Sequence, residues 1–170
     1  EGSNLLWEDS DYNTPVRAIN QNFPGLMTLE LVFEGKDENV RTVKRAETVK
    51  VMNEIQRRLE ESEFPPTATL SFADYLPEAS RLYQGGNPKW SPLDYTDDAV
   101  NAAAGALLLG ASSKAYSHVS DFELKNGTVS LWYKDNKQDT VDKALEAANG
   151  VISDIGQDFP EFKIRLATGA

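Results

Sequence analysis

Residues 27–35 read MTLELVFEG and residues 42–72 read TVKRAETVKVMNEIQRRLEESEFPPTATLSF. In the first stretch Leu29, Leu31 and Phe33 recur at every second position and Gly35 stops the run, the pattern of a strand with one buried face. In the second the period lengthens. Val49, Met52, Ile55 and Leu59 recur at steps of three and four, with Lys44, Arg45, Glu54, Arg57 and Arg58 between them. That spacing predicts an amphipathic helix over about 42–61. Pro65-Pro66 blocks its continuation. Thr67 to Phe72 then alternates again, with Ala68, Leu70 and Phe72 predicted to face one way. Residues 27–72 therefore read as one β-α-β unit.

Residues 121–170 repeat the scheme. Val129, Leu131 and Tyr133 share one face of a predicted strand over Thr128 to Tyr133, with Trp132 on the other. The Asn126-Gly127 turn signal suggests a short strand, Asp121 to Leu124, just before it. A helix is predicted from about Thr140, carrying Val141, Leu145, Ala148, Ile152, Ile155 and Phe159 on one side, and Pro160 ends the run. Asp139 and Thr140 are expected to cap it. Phe162, Ile164 and Leu166 alternate with Lys163 and Arg165 in a last strand.

Two β-α-β units with amphipathic helices give an α+β fold, and a ferredoxin-like arrangement is the expected form, both helices on one side of the sheet. Ahead of the first unit, residues 1–26 combine an acidic, apolar opening with a short helix. Asn13 or Thr14 caps that helix, and Val16, Ile19 and Phe23 share its face. Between the units, residues 73–120 form an insertion: a helix over about Leu76 to Tyr83, a loop through Gly85, Gly86, Pro88 and Pro92, and an Ala-rich helix over about Ala99 to Ala111. The whole is expected to be one compact domain, with specificity carried by the insertion.

The 170 residues include 40% hydrophobic and 26% charged side chains, ordinary values for a folded chain. Seventeen basic against 27 acidic residues leave a formal charge of -10. Such a surface repels phosphate backbones and anionic headgroups, so nucleic acid is not an expected partner. The absence of cysteine excludes disulfides, thiol nucleophiles and cysteine-bound zinc. The Ala-rich stretch is interrupted by Asn101 and is shorter than the roughly 20 apolar residues a membrane span needs, so it reads as a helix buried in the core. A chain that opens on Glu1, without initiator Met or signal segment, is expected to be a piece of a larger protein.

No catalytic constellation emerges. His118 is the lone histidine, and no G-x-S-x-G or S-x-x-K context surrounds a serine. Asp135, Asp139 and Glu146 fall near the positions of a calcium loop, but Lys137 stands where an oxygen ligand belongs and Thr140 replaces the required glycine. Asp94, Asp97 and Asp98 gather where a helix should begin, which the helix dipole accounts for. Gly85-Gly86 lacks the spacing and the lysine of a phosphate loop. No cofactor is expected. What remains is Tyr75, Leu76, Leu82, Tyr83 and Trp90, in or beside the insertion. Either these line a groove for an apolar ligand, or they pack the insertion against the sheet.

Several stretches together resemble the extracytoplasmic loops of resistance–nodulation–division (RND) exporters, in the bacterial branch akin to MMPL and Patched-type lipid transporters. They are Asn4-Leu5-Leu6-Trp7 through Phe23-Pro24-Gly25, Leu29 to Gly35, Ser71-Phe72-Ala73-Asp74-Tyr75-Leu76-Pro77, Gly85 to Trp90, and Leu131-Trp132-Tyr133-Lys134-Asp135. After Asp135 this chain has Asn136 and Gln138, where that family often shows His and Gly. The resemblance implies a porter domain on the periplasmic side of an inner-membrane, proton-driven exporter, one of two such loops in a parent that is itself oligomeric. Its implied partners are the parent's transmembrane helices, its sister loop, and a hydrophobic small molecule or lipid. The family's proton-relay carboxylates lie in transmembrane helices and have no counterpart among these residues, so the implied role is non-catalytic. The competing expectations are a ligand-binding sensor and a protein-assembly module.

Overall fold

The computed structural model describes residue 25 and residues 27–168. The opening segment and the helix expected within residues 13–23 lie outside the described residues. The elements run β1 (Met27–Gly35), α1 (Ala46–Glu60), β2 (Ala68–Ser71), α2 (Tyr75–Tyr83), α3 (Asp97–Gly110), β3 (Gly127–Tyr133), α4 (Gln138–Ile155) and β4 (Phe162–Thr168). The strands form a single sheet in the order β2-β3-β1-β4, every neighbouring pair antiparallel. Strands β1 and β2 both oppose β3, so they run parallel to each other with β3 between them. Strands β3 and β4 are related in the same way across β1. The two β-α-β units are thus interleaved within one sheet, and the protein is α+β.

Register explains the core. Leu29 lies opposite Leu131, Leu31 opposite both Val129 and Leu166, and Phe33 opposite Ile164. Directly opposed residues project from the same side of a sheet, so these apolar side chains form one layer. Against it pack Val49, Met52, Ile55 and Leu59 of α1 with Ala144, Ala148 and Ile152 of α4, all of them buried. Arg58 reaches Asp154 at 3.9 Å, which sets the two helices side by side. Gly156, at φ 102°, ends α4 in a conformation that favours glycine.

Three expectations need correction. On β2, Thr69 pairs with Leu131 and Ser71 with Val129, so Thr69 and Ser71 face the helices in place of Ala68 and Leu70. Phe72 is still buried, because the strand ends at Ser71 and the chain turns into a 3-10 helix over Phe72–Asp74. Two inward hydroxyls are tolerated here because Gln56 descends from α1 between them: its Nε2 donates to Thr69 Oγ1 at 3.0 Å and its Oε1 accepts from Ser71 Oγ at 2.7 Å. Buried polar groups cost little once paired.

Residues Asp121 to Leu124 form a turn, not a strand; the ladder extends only to an isolated Ser120–Gly127 bridge. The Asp121 carboxylate closes the turn by accepting from the backbone N–H of Lys125 (2.8 Å) and of Asn126 (3.1 Å), the Asx-type bonding that competes with strand formation. Asn126 in turn accepts the Gly35 N–H at 3.0 Å. A side chain at Gly35 would meet the Lys125 carbonyl at 2.6 Å, so glycine is needed there for the close approach.

Helix α4 begins two residues before Thr140. Its N-cap position is Lys137, without a side-chain cap, and Asp139 sits within the first turn. Thr140 Oγ1 donates to Asp135 Oδ1 at 2.6 Å, and Lys137 N–H bonds the same oxygen at 3.2 Å. Asp135 therefore organises the helix start from outside it.

Candidate functional site

The insertion folds into two helices, α2 and α3, that pack against each other. Ser71 and Asp74 build a reciprocal capping box around the 3-10 turn that leads into α2. Pro77 is accommodated in the first turn of α2, where its missing N–H costs nothing. Thr96 caps α3, its Oγ1 accepting from Ala99 N–H at 3.3 Å, and Asp97 and Asp98 occupy the first turn as the dipole favours. Asp97 does more than this. Its Oδ1 accepts the Ala46 N–H at 2.8 Å and its Oδ2 lies 3.1 Å from Arg45 Nη1, so it caps α1 from a neighbouring helix. Arg45 also reaches Glu161 at 3.0 Å, just before β4. The insertion is thereby fastened to both halves of the domain.

Between α2 and the C-terminal end of α3 lies a groove of about 490 Å³. Helix α2 lines it with two adjacent ridges at i, i+4 spacing, Asp74–Glu78–Leu82 and Tyr75–Ala79–Tyr83. The opposite wall is Ala106, Leu107, Leu109, Gly110 and Ala111. Leu82, Tyr83 and Leu109 are 61%, 71% and 86% exposed, so three large apolar side chains border one concavity. Isolated exposed hydrophobes are ordinary, but grouped ones mark interaction sites.

The groove is polarised along its length. At one end the Asp74 Oδ2 accepts from Gln56 Nε2 (2.8 Å) and from Ser71 N–H (2.7 Å). Glu78 is bidentate with Arg81, whose hydrogen bonds hold the Glu78 carboxyl below its usual range. Arg81 also donates to the Gly86 carbonyl at 2.6 Å, tying the following loop to the helix. Tyr75 Oη lies 2.9 Å from His118 Nε2, an exposed pair whose rings meet edge-on. Burial, and after it the charge of Asp74, push the Tyr75 phenol up, so it stays a neutral hydroxyl at neutral pH. Leu82, two turns further along α2, marks the apolar end of that ridge, and Leu109 borders the groove from α3.

Of the five residues singled out in the sequence, Tyr75, Leu82 and Tyr83 line this groove. Leu76 points the other way and is fully buried in the core. Trp90 is 42% exposed on a 3-10 turn, with Lys89 Nζ 5.0 Å from its ring, and is not part of the groove wall. The α3 wall was missed, and the reason is physical. An Ala-, Gly- and Leu-rich run reads as core, yet only Val100, Ala103 and Ala104 of this helix are buried. In its last turn Leu107 and Leu108 are partly buried against the core while Leu109 is exposed, which the unbroken apolar run does not signal.

Among the described residues no group of three or more His, Asp or Glu side chains is placed to hold a metal ion, and no helix is long and apolar enough to cross a membrane. Asp139 is paired with Lys143 at 2.7 Å. No family model matches the chain, and no curated protein or solved structure matches it either.

Proposed function

We propose that this chain is a non-catalytic, substrate-handling domain that receives hydrophobic or lipid-like molecules in the groove between α2 and α3. The observation that carries the reading is the grouping of exposed Leu82, Tyr83 and Leu109 around a concavity of ligand size. Its walls supply mainly apolar contact area, which suits capture and release. The strand order β2-β3-β1-β4 with two interleaved β-α-β units supports a ferredoxin-like, porter-type arrangement. Together with the motif resemblance, this favours an RND-type exporter as the parent, with the domain on the periplasmic side. In that setting, proton-driven motion elsewhere would open and close the groove by shifting populations. The coding sequence on both sides tests the parentage: the reading expects an apolar span of about 20 residues upstream and several clustered downstream, and soluble flanks overturn it.

A protein-assembly role is the second reading. The openness of the groove, with Leu109 86% exposed, favours it over a closed ligand cavity. Under it, an amphipathic helix of a partner would occupy the same groove.

A further inference from the structure

Resting on the reading of this groove as a ligand site, we propose that its ligand is a single-tailed amphiphile with a cationic head. About 490 Å³ is in the lower part of the range for small-molecule sites, enough for one tail. The groove's own chemistry orients such a molecule. Leu82, two turns along α2 from Asp74, and Leu109 on the facing helix offer apolar surface for the tail, and Asp74 and Glu78 stand on one ridge of α2 toward its start. Neither Lys nor Arg is among the residues lining it. Arg81, behind the wall, neutralises Glu78, so the uncompensated charge is that of Asp74. Its Oδ2 is held by Gln56 and Ser71, leaving the other oxygen outside that network.

The positive end of the α2 dipole, about half a unit charge, opposes a cation at this spot. The full negative charge of Asp74, which occupies the N-cap position of α2, outweighs it. The formal charge of -10 over the chain adds a long-range attraction of the same sign. An anionic head would meet repulsion from both sources, and a neutral head would forgo the attraction. Tyr75, next to Asp74 at the start of α2 and among the lining residues, also offers an aromatic ring that attracts a quaternary ammonium.

The test uses three probes with one tail: dodecyltrimethylammonium, dodecyl maltoside and dodecyl sulfate, each titrated into the 170-residue chain below its micellar concentration. The cationic probe is expected to bind about tenfold tighter than the maltoside, with the sulfate weakest, and the gap should narrow in high salt. Glu78→Gln, which unmasks Arg81, is expected to reduce the affinity for the cationic probe relative to the other two. Leu109→Glu separates the groove from diffuse surface charge. It adds an acid, which strengthens non-specific attraction, yet it should weaken all three probes. Equal affinities, or a tighter sulfate, would overturn the charge preference and leave the apolar groove standing. Failure of every probe to bind, or binding indifferent to Leu109→Glu, would overturn both.

Discussion

Gln56 Nε2 donates a 2.8 Å hydrogen bond to Asp74 Oδ2, joining the middle of core helix α1 to the mouth of the surface groove. The same amide also serves Thr69 and Ser71. Three elements therefore meet at one buried side chain: α1, β2 and the 3-10 turn whose Asp74 leads into α2. Gln56→Ala leaves the buried Ser71 without that partner and is expected to cost about 1–3 kcal/mol. Urea denaturation measures the loss. Because Asp74 loses its tether, hydrogen exchange in residues 74–83 should quicken more than the global loss explains.

Tyr133 supplies a prediction of opposite sign. Its ring is buried and stacks on Phe64 at 5.6 Å, and its hydroxyl has no hydrogen-bond partner among the described residues. Tyr133→Phe removes an unsatisfied polar atom and keeps the ring, so it is expected to raise stability by about 1 kcal/mol. A lower midpoint in urea would refute this.

The same burial pushes the Tyr133 phenol up to about 12. In the unfolded chain a tyrosine titrates near 10, so between these values the unfolded state binds fewer protons than the folded one. Stability from this group is intact below about pH 10 and is lost as pH rises toward 12. The thermal midpoint should fall across that window, and less steeply in Tyr133→Phe. A slope unchanged by the substitution would show that other groups cause it.

Asp97 fastens the insertion through the Ala46 N–H and Arg45. Removing a helix-capping carboxylate costs about 0.5–2 kcal/mol, so Asp97→Ala should fall in that range by denaturation. Asp98→Ala, one residue along in the same first turn, should cost less, because no cap of α1 is lost. Equal losses would mean that Asp97 acts only through the dipole of its own helix.

The strands and core helices were legible because each buries one face and its period survives in the residues. Leu29, Leu31 and Phe33 keep a period of two, and Val49, Met52, Ile55 and Leu59 keep the helical one. The phase of β2 was not legible. Placing Ser71 inward depends on Gln56, fifteen residues earlier, and hydrophobicity alone sends Leu70 inward. The turn at Asp121 was hidden for a similar reason: side-chain bonds to Lys125 and Asn126 decide it, and alternation does not register them. At the groove, the α2 ridge was partly visible as aromatic and leucine residues beside the insertion. The α3 wall was not, since an unbroken run of Ala and Leu does not show that Leu109 is exposed while Leu107 and Leu108 pack against the core.

The most direct test of the groove is an amide chemical-shift titration of the chain with a neutral apolar probe, dodecyl maltoside, kept below its micellar concentration. Saturable shifts concentrated in residues 74–83 and 106–111, lost in Leu109→Glu without loss of fold, are the predicted result. Shifts that scatter over the surface, fail to saturate, or persist in that variant would contradict a ligand site between α2 and α3.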